Sequence, residues 1–134
     1  MDEKQYRARC EEVLSKELPV ESPDELMKAA VEVEALGYLA TKFQATSERR
    51  LREAEVLMMN EKAKSYNEVE GKTAPERQAK VEAMTSELAG EIAMLESLVK
   101  FYRNLSVLID RRVGLAQSTL ANFSAQIKAG IITK

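Results

Sequence analysis

Two short basic clusters are the residues best suited, by type and spacing, to do chemistry. Arg49-Arg50-x-Arg52 places three guanidinium groups within four residues, and Lys62-x-Lys64-x-Tyr66 follows further along. Cationic side chains neutralise phosphates and an aromatic ring stacks on a base, the two needs of single-stranded nucleic acid. A solvated helix face carrying i,i+4 pairs such as Glu48/Arg52 uses the same residues, so residue types alone leave both readings open. A third group, Lys100-Phe101-Tyr102-Arg103 and then Arg111-Arg112 beside Asp110, lies late in the chain. Tyr102 falls on an apolar stripe and is expected to be packed. The two late arginines suit an interface between copies, or a basic channel formed by several copies.

Other chemistries are poorly served. The chain has no histidine, which removes the commonest general base, the commonest metal ligand and the usual pH switch. Ser/His/Asp and Cys/His arrangements therefore cannot be built. Cys10 is the only cysteine, so neither an intrachain disulfide nor a cysteine metal cluster can form. Glu70-Gly71-Lys72-Thr73 resembles the end of a phosphate-binding loop, but the preceding glycine and strand are missing. Carboxylate pairs at helical spacing, Glu87/Glu91 and Glu21/Glu25, lack the Glu-x-x-His partners on which di-metal bundles rely and are expected to be solvated. The expectation is a binding protein with no catalytic residues, no metal and no cofactor.

These groups must be positioned by long helices. Charged residues make up 31% of the 134 residues, aromatics are scarce, and five Gly and three Pro leave few places to turn. Ala, Glu, Lys, Leu and Arg dominate, the composition of long helices and coiled coils. The net charge of −2 is segregated: residues 1–35 carry −5, 36–66 carry +2, 67–96 carry −4 and 97–134 carry +5. The field met by a partner follows these local zones.

The expected fold is all-α, a single helical domain over residues 1–134 built as a long helical hairpin with a short N-terminal helix. The first helix, over 2–17, sets Tyr6, Cys10, Val13 and Leu14 on one face and stops at Pro19. Short and strongly charged, it is expected to dock weakly or to serve as an arm. The second, over 23–66, starts at Ser22-Pro23-Asp24-Glu25, a cap, a first-turn proline and acidic groups at the positive end of the dipole. Its stripe runs Leu26, Ala29, Val33, Leu36, Ala40 and Phe43, then after a polar gap Ala54 and Leu57; Met58-Met59 suits adaptable core packing. Gly37 costs about 1 kcal/mol relative to Ala inside a helix, so its expected use is close approach of another helix.

The third helix is expected over 75–129, after a turn at Glu70–Glu76. Its apolar positions are Val81, Met84, Leu88, Ile92, Leu95, Val99, Tyr102, Leu105, Ile109, Val113, Ala116, Leu120, Phe123 and Ile127. They recur about every 3.5 residues, the heptad spacing of a coiled-coil seam. Such a helix is about 80 Å long, whereas a compact globule of this mass is only about 30–35 Å across. The second helix is too short to cover it, so an oligomer is expected, assembled through Leu105, Ile109, Val113, Ala116, Leu120, Phe123 and Ile127. Gly130 is the expected C-cap, followed by the tail Ile131-Ile132-Thr133-Lys134.

The layout over residues 24–130 resembles the UvsY family, the recombination mediators of tailed phages. Glu61-Lys62-Ala63-Lys64-Ser65-Tyr66 is similar to that family's basic segment followed by Tyr, and Glu70-Gly71-Lys72 falls where the family turns. The resemblance implies single-strand DNA contacts at Lys62 and Lys64, and a C-terminal helix that builds ring-shaped oligomers. It further implies a protein that coats single-stranded DNA and loads a RecA-like recombinase while displacing single-strand-binding protein. Tyr66, Arg49, Arg50 and Arg52 complete the candidate DNA-binding set.

Two other classes remain open: a helical adaptor or assembly protein of the phage scaffold or chaperone type, and a small inhibitor that binds a host enzyme. The polar N-terminus, Met1 to Gln5, lacks the apolar run of a signal peptide, and no stretch approaches the roughly 18 apolar residues of a membrane span. The expected location is the cytoplasm, that of the host cell if the protein is phage-encoded.

Overall fold

The computed structural model describes residues 1–68 and 73–130. Among them every regular element is helical: α1 Glu3–Ser15, α2 Pro23–Glu68, α3 Ala74–Met84 and α4 Ser86–Lys128. None is long and apolar enough to cross a membrane. The Glu70-Gly71-Lys72 part of the expected turn and the tail from Ile131 lie outside the described residues.

Local capping chemistry sets the helix ends. Asp2 accepts from the Gln5 backbone N–H at 2.8 Å while the Gln5 side chain accepts from the Asp2 N–H at 3.1 Å, a reciprocal capping box on α1. Ser22 Oγ accepts from the Glu25 N–H at 3.4 Å ahead of Pro23, and Thr73 Oγ1 accepts from the Glu76 N–H at 3.3 Å ahead of Pro75 in α3. Gly130, with φ of 74°, closes α4 in a left-handed conformation that only glycine adopts at no steric cost.

The helix expected over 75–129 is two elements, with Thr85 between them. The Thr85 N–H and hydroxyl both donate to the Val81 carbonyl, at 3.0 and 2.9 Å. A threonine that bonds back four residues bends its helix, and Thr85 sits at φ −103°, ψ 10°. The apolar spacing runs through this point unbroken, so periodicity gives no sign of the interruption.

The described chain divides into two compact units, Met1–Phe43 with Tyr102–Lys134, and Gln44–Phe101. In the first unit α1 is docked through three buried side chains, where its sequence suggested weak docking or an arm. Tyr6, Cys10 and Val13 are buried, and the Tyr6 hydroxyl donates to the Leu36 carbonyl at 2.6 Å. Arg9 pairs with Glu32 of α2, so α1 runs antiparallel to α2. The rings of Tyr6, Phe43 and Tyr102 form one cluster, with centroids 5.0, 5.8 and 6.4 Å apart.

Gly37 does what its sequence position suggests: a Cβ there would lie 3.1 Å from Ile109 Cγ2, so the missing side chain lets α2 and α4 approach. Further along, Leu26, Ala30 and Ala116 form a buried cluster against which Leu18, Leu120 and Phe123 pack.

Among the described residues of the second unit the buried positions are Ser47, Ala54, Ser65, Val81, Thr85, Leu95 and Val99. Leu57 and Met84, expected on the inner stripes, are 50% and 60% exposed, and Met59 is exposed as well. The inner face of α2 passes through Ser47, Ala54 and Ser65, spaced by 7 and 11 residues. Small hydroxyl-bearing side chains take the inner positions that an apolar pattern assigns to larger ones.

Candidate nucleic-acid interface

The candidate DNA-binding residues all lie on α2 within the second unit, and the helix decides which of them can act together. Each residue turns about 100° around the axis. Lys62 and Lys64 therefore project about 200° apart, one on either side of buried Ser65. Lys64 shares an outer face with Arg49, Arg50 and Arg52, all four within an arc of about 160°, and all exposed. Arg49 lies 3.9 Å from Glu53, a surface pair that contributes little to stability.

Lys62 and Tyr66, four residues apart, occupy the other flank, where α3 folds back on α2. There the two helices enclose a cleft of about 460 Å³, lined by Lys62, Ala63, Tyr66 and Asn67 of α2 and by Gln78, Val81 and Glu82 of α3. Val81 is buried and supplies an apolar floor. Tyr66 remains 39% exposed. The Arg77 guanidinium carbon stands 5.1 Å from the Tyr66 ring centroid, within cation–π range. Gln78 Nε2 donates to Glu82 Oε1 at 3.4 Å, so an amide and a carboxylate share one face of α3 at i,i+4.

The six residues thus separate into two groups, an outer basic face and a cleft flank. Arg77, Gln78 and Glu82 belong to the second group and were not singled out from sequence. Only the fold-back of α3 brings them to Tyr66, and nothing in the spacing between residues 66 and 77 signals that approach. The arrangement offers cations for phosphate, a ring and an apolar floor for a base face, and an amide–carboxylate pair for a base edge.

The carboxylate pair Glu87/Glu91 lies on a separate depression of the second unit with Leu57, Glu61, Met84, Thr85 and Leu88. Among the described residues no group of three or more carboxylate or thiol side chains converges to hold a metal ion.

The residues expected to drive oligomerisation lie in the first unit. Leu105, Ile109 and Ala116 are buried within the chain's own core, while Val113, Leu120, Phe123 and Ile127 are half-buried. Arg112 is also engaged within the chain: its guanidinium donates to the Leu14 carbonyl at 3.5 Å and to the Lys16 carbonyl, closing the C-terminal end of α1. Large apolar side chains stay outside on other faces: Met27, Val31, Tyr38, Leu108 and Leu115 in the first unit, Met94 and Phe101 in the second.

Burial in the first unit also sets its titration. The Tyr6 phenol is raised well above its usual value by burial, with Cys10 beside it adding to the effect. Burial pushes the Tyr102 phenol up to about 12, partly offset by the Arg7 guanidinium that donates to its oxygen. The Cys10 thiol is likewise raised by burial. These groups are held neutral in the packed core, which suits a structural role and not a nucleophilic one.

Comparison with protein-family models, with curated proteins and with solved structures finds no match to this chain.

Proposed function

We propose that this protein binds single-stranded DNA as an oligomer and acts as an accessory factor in recombination, without catalysing a reaction. The observation that carries the reading is the cleft flank: a partly exposed Tyr66 ring beside Lys62, with the Arg77 guanidinium against it. A cation next to an accessible ring is the minimal unit for holding a phosphate and stacking its base. The outer face of Arg49, Arg50, Arg52 and Lys64 supplies further phosphate contacts along the same helix. Loading of a RecA-like recombinase, with displacement of single-strand-binding protein, rests on the resemblance to the UvsY family alone.

Assembly strengthens the reading, because one protomer offers only a few phosphate contacts and linked copies raise the effective concentration of the rest. In sequence Met94, Phe101, Leu108 and Leu115 recur every seven residues of α4, and each is 42–58% exposed. That spacing suits a neighbouring helix, alongside the half-buried Val113, Leu120, Phe123 and Ile127.

The test is fluorescence anisotropy of a labelled oligo-dT and a matched duplex at low and near-physiological salt. Tight, salt-sensitive binding that favours the single strand is expected. The log–log salt slope should fall by about 0.7 for each phosphate-contacting cation removed. No binding at low salt, where phosphate attraction is strongest, overturns the proposal. The exposed apolar side chains then favour a second reading, a helical adaptor whose partner is another protein.

A further inference from the structure

We propose that the α2–α3 cleft takes one unstacked guanine base, read at its edge by Glu82 and Gln78. The inference rests on the single-strand reading of the same cleft and adds a base preference to it. The cleft's volume, about 460 Å³, accommodates a purine with its sugar. Its walls divide by chemistry: Tyr66, Ala63 and Val81 are apolar, Lys62 is cationic, and Glu82, Gln78 and Asn67 are polar.

A thymine-tracking groove needs only a ring and a cation. A carboxylate inside such a groove repels the phosphates and acts against backbone binding, unless it meets hydrogen-bond donors on the base. Guanine is the base that presents two adjacent donors, N1–H and N2–H, to one carboxylate, with O6 beside them as an acceptor. Glu82 accepts both donors in a bidentate contact, and the Gln78 amide, already directed along this face of α3 toward Glu82 at 3.4 Å, donates to O6. Cytosine and adenine offer the carboxylate a single amino group, and thymine a single imino group. Stacking on Tyr66 holds the base plane, and Lys62 takes the flanking phosphate.

The experiment compares three labelled single strands of equal length by anisotropy: oligo-dT, a repeat of dT-dT-dG, and the same repeat with inosine for guanine. Inosine lacks only the N2 amino group. The 134-residue chain is expected to bind the guanine repeat about fivefold or more tighter than the other two, the low end of what a bidentate base contact discriminates. Glu82→Gln, a substitution at an exposed position, should abolish that preference, so that the three strands then bind alike. Equal binding of the three strands, or a preference that survives in Glu82→Gln, overturns the guanine assignment and leaves the single-strand reading standing. Binding of none of them at low salt overturns both.

Discussion

The two units share α2 and α4 and differ in what those helices bury. In the first, α1, the N-terminal part of α2 and the C-terminal part of α4 bury Tyr6, Tyr102, Leu26, Ile109 and Val33 completely. In the second, Leu95 is completely buried as well, but three of the seven buried residues among those described are Ser47, Ser65 and Thr85, while Val56, Leu57, Met59, Met84, Met94 and Phe101 are about half exposed or more. The first unit packs the rings of Tyr6, Phe43 and Tyr102 together, with Tyr6 and Tyr102 fully buried. The second leaves both its rings, Tyr66 and Phe101, about 40% exposed, Tyr66 at the rim of a cleft beside Lys62 and Arg77. Packing with large fully buried rings fixes a fold, whereas a small inner core leaves side chains free to meet a partner.

The sharpest way to break this contrast is to truncate one tyrosine in each unit. Tyr6→Ala removes a fully buried ring, its contacts with Phe43 and Tyr102 and its bond to the Leu36 carbonyl. It should cost about 3–5 kcal/mol in urea unfolding followed by circular dichroism. An effect below about 1 kcal/mol would mean that α1 is not part of the cooperative core. Next in size, Gly37→Leu forces a side chain against Ile109 and should cost about 1–3 kcal/mol by overpacking in the same measurement.

Tyr66→Ala reverses the pattern. Unfolding stability should change by less than about 1 kcal/mol, while single-strand affinity falls by about 1–3 kcal/mol, the worth of one stacked base. If instead stability collapses and binding persists, the cleft is structural. Lys62→Ala should weaken binding with Tyr66→Ala in a non-additive way, since the two line one cleft. Lys64→Ala should combine additively with either, because it points to the other side of α2.

The smallest expected effect is the response to alkali. Cys10, Tyr6 and Tyr102 have raised pKa values in the fold. The unfolded chain releases these protons from about pH 9 to 10, whereas the folded chain holds them. Their stabilisation is therefore complete below about pH 9 and is lost as pH rises toward and beyond about 12. Urea midpoints from pH 8 to 11 should decline, and Tyr6→Phe should flatten the decline. An unchanged slope in that variant would assign the alkaline loss to other groups.

Much of the fold was legible because its signals are local. Ser22-Pro23, Thr73 with Pro75, and Gly130 mark helix ends through bonds made within four residues. The stripe from Leu95 through Ile109 to Ala116 follows from helical geometry alone. Leu57 and Met84 were misplaced because hydrophobicity is a one-way guide: an apolar side chain need not be inside when a smaller neighbour lets the helices come closer. The docking of α1 was underestimated, since three inward side chains do not reveal that Arg112, almost a hundred residues away, closes its end.

The candidate site was half legible. Lys62 and Tyr66 stand out in sequence by type, and helical spacing alone separates Lys62 from Lys64. Arg77, Gln78 and Glu82 enter only when α3 lies against α2.

The sequence by itself determined that the chain is helical, where most of its helices start and stop, and which stripe of α4 faces inward, because caps and periodicity act over a turn or two of helix. Only the tertiary structure decided that α1 belongs to the core, that Thr85 interrupts the last long pattern, and that a cation, a ring and a carboxylate share one cleft. Those outcomes depend on contacts between residues far apart in sequence, set by which packed arrangement buries the most surface, and no local pattern encodes them.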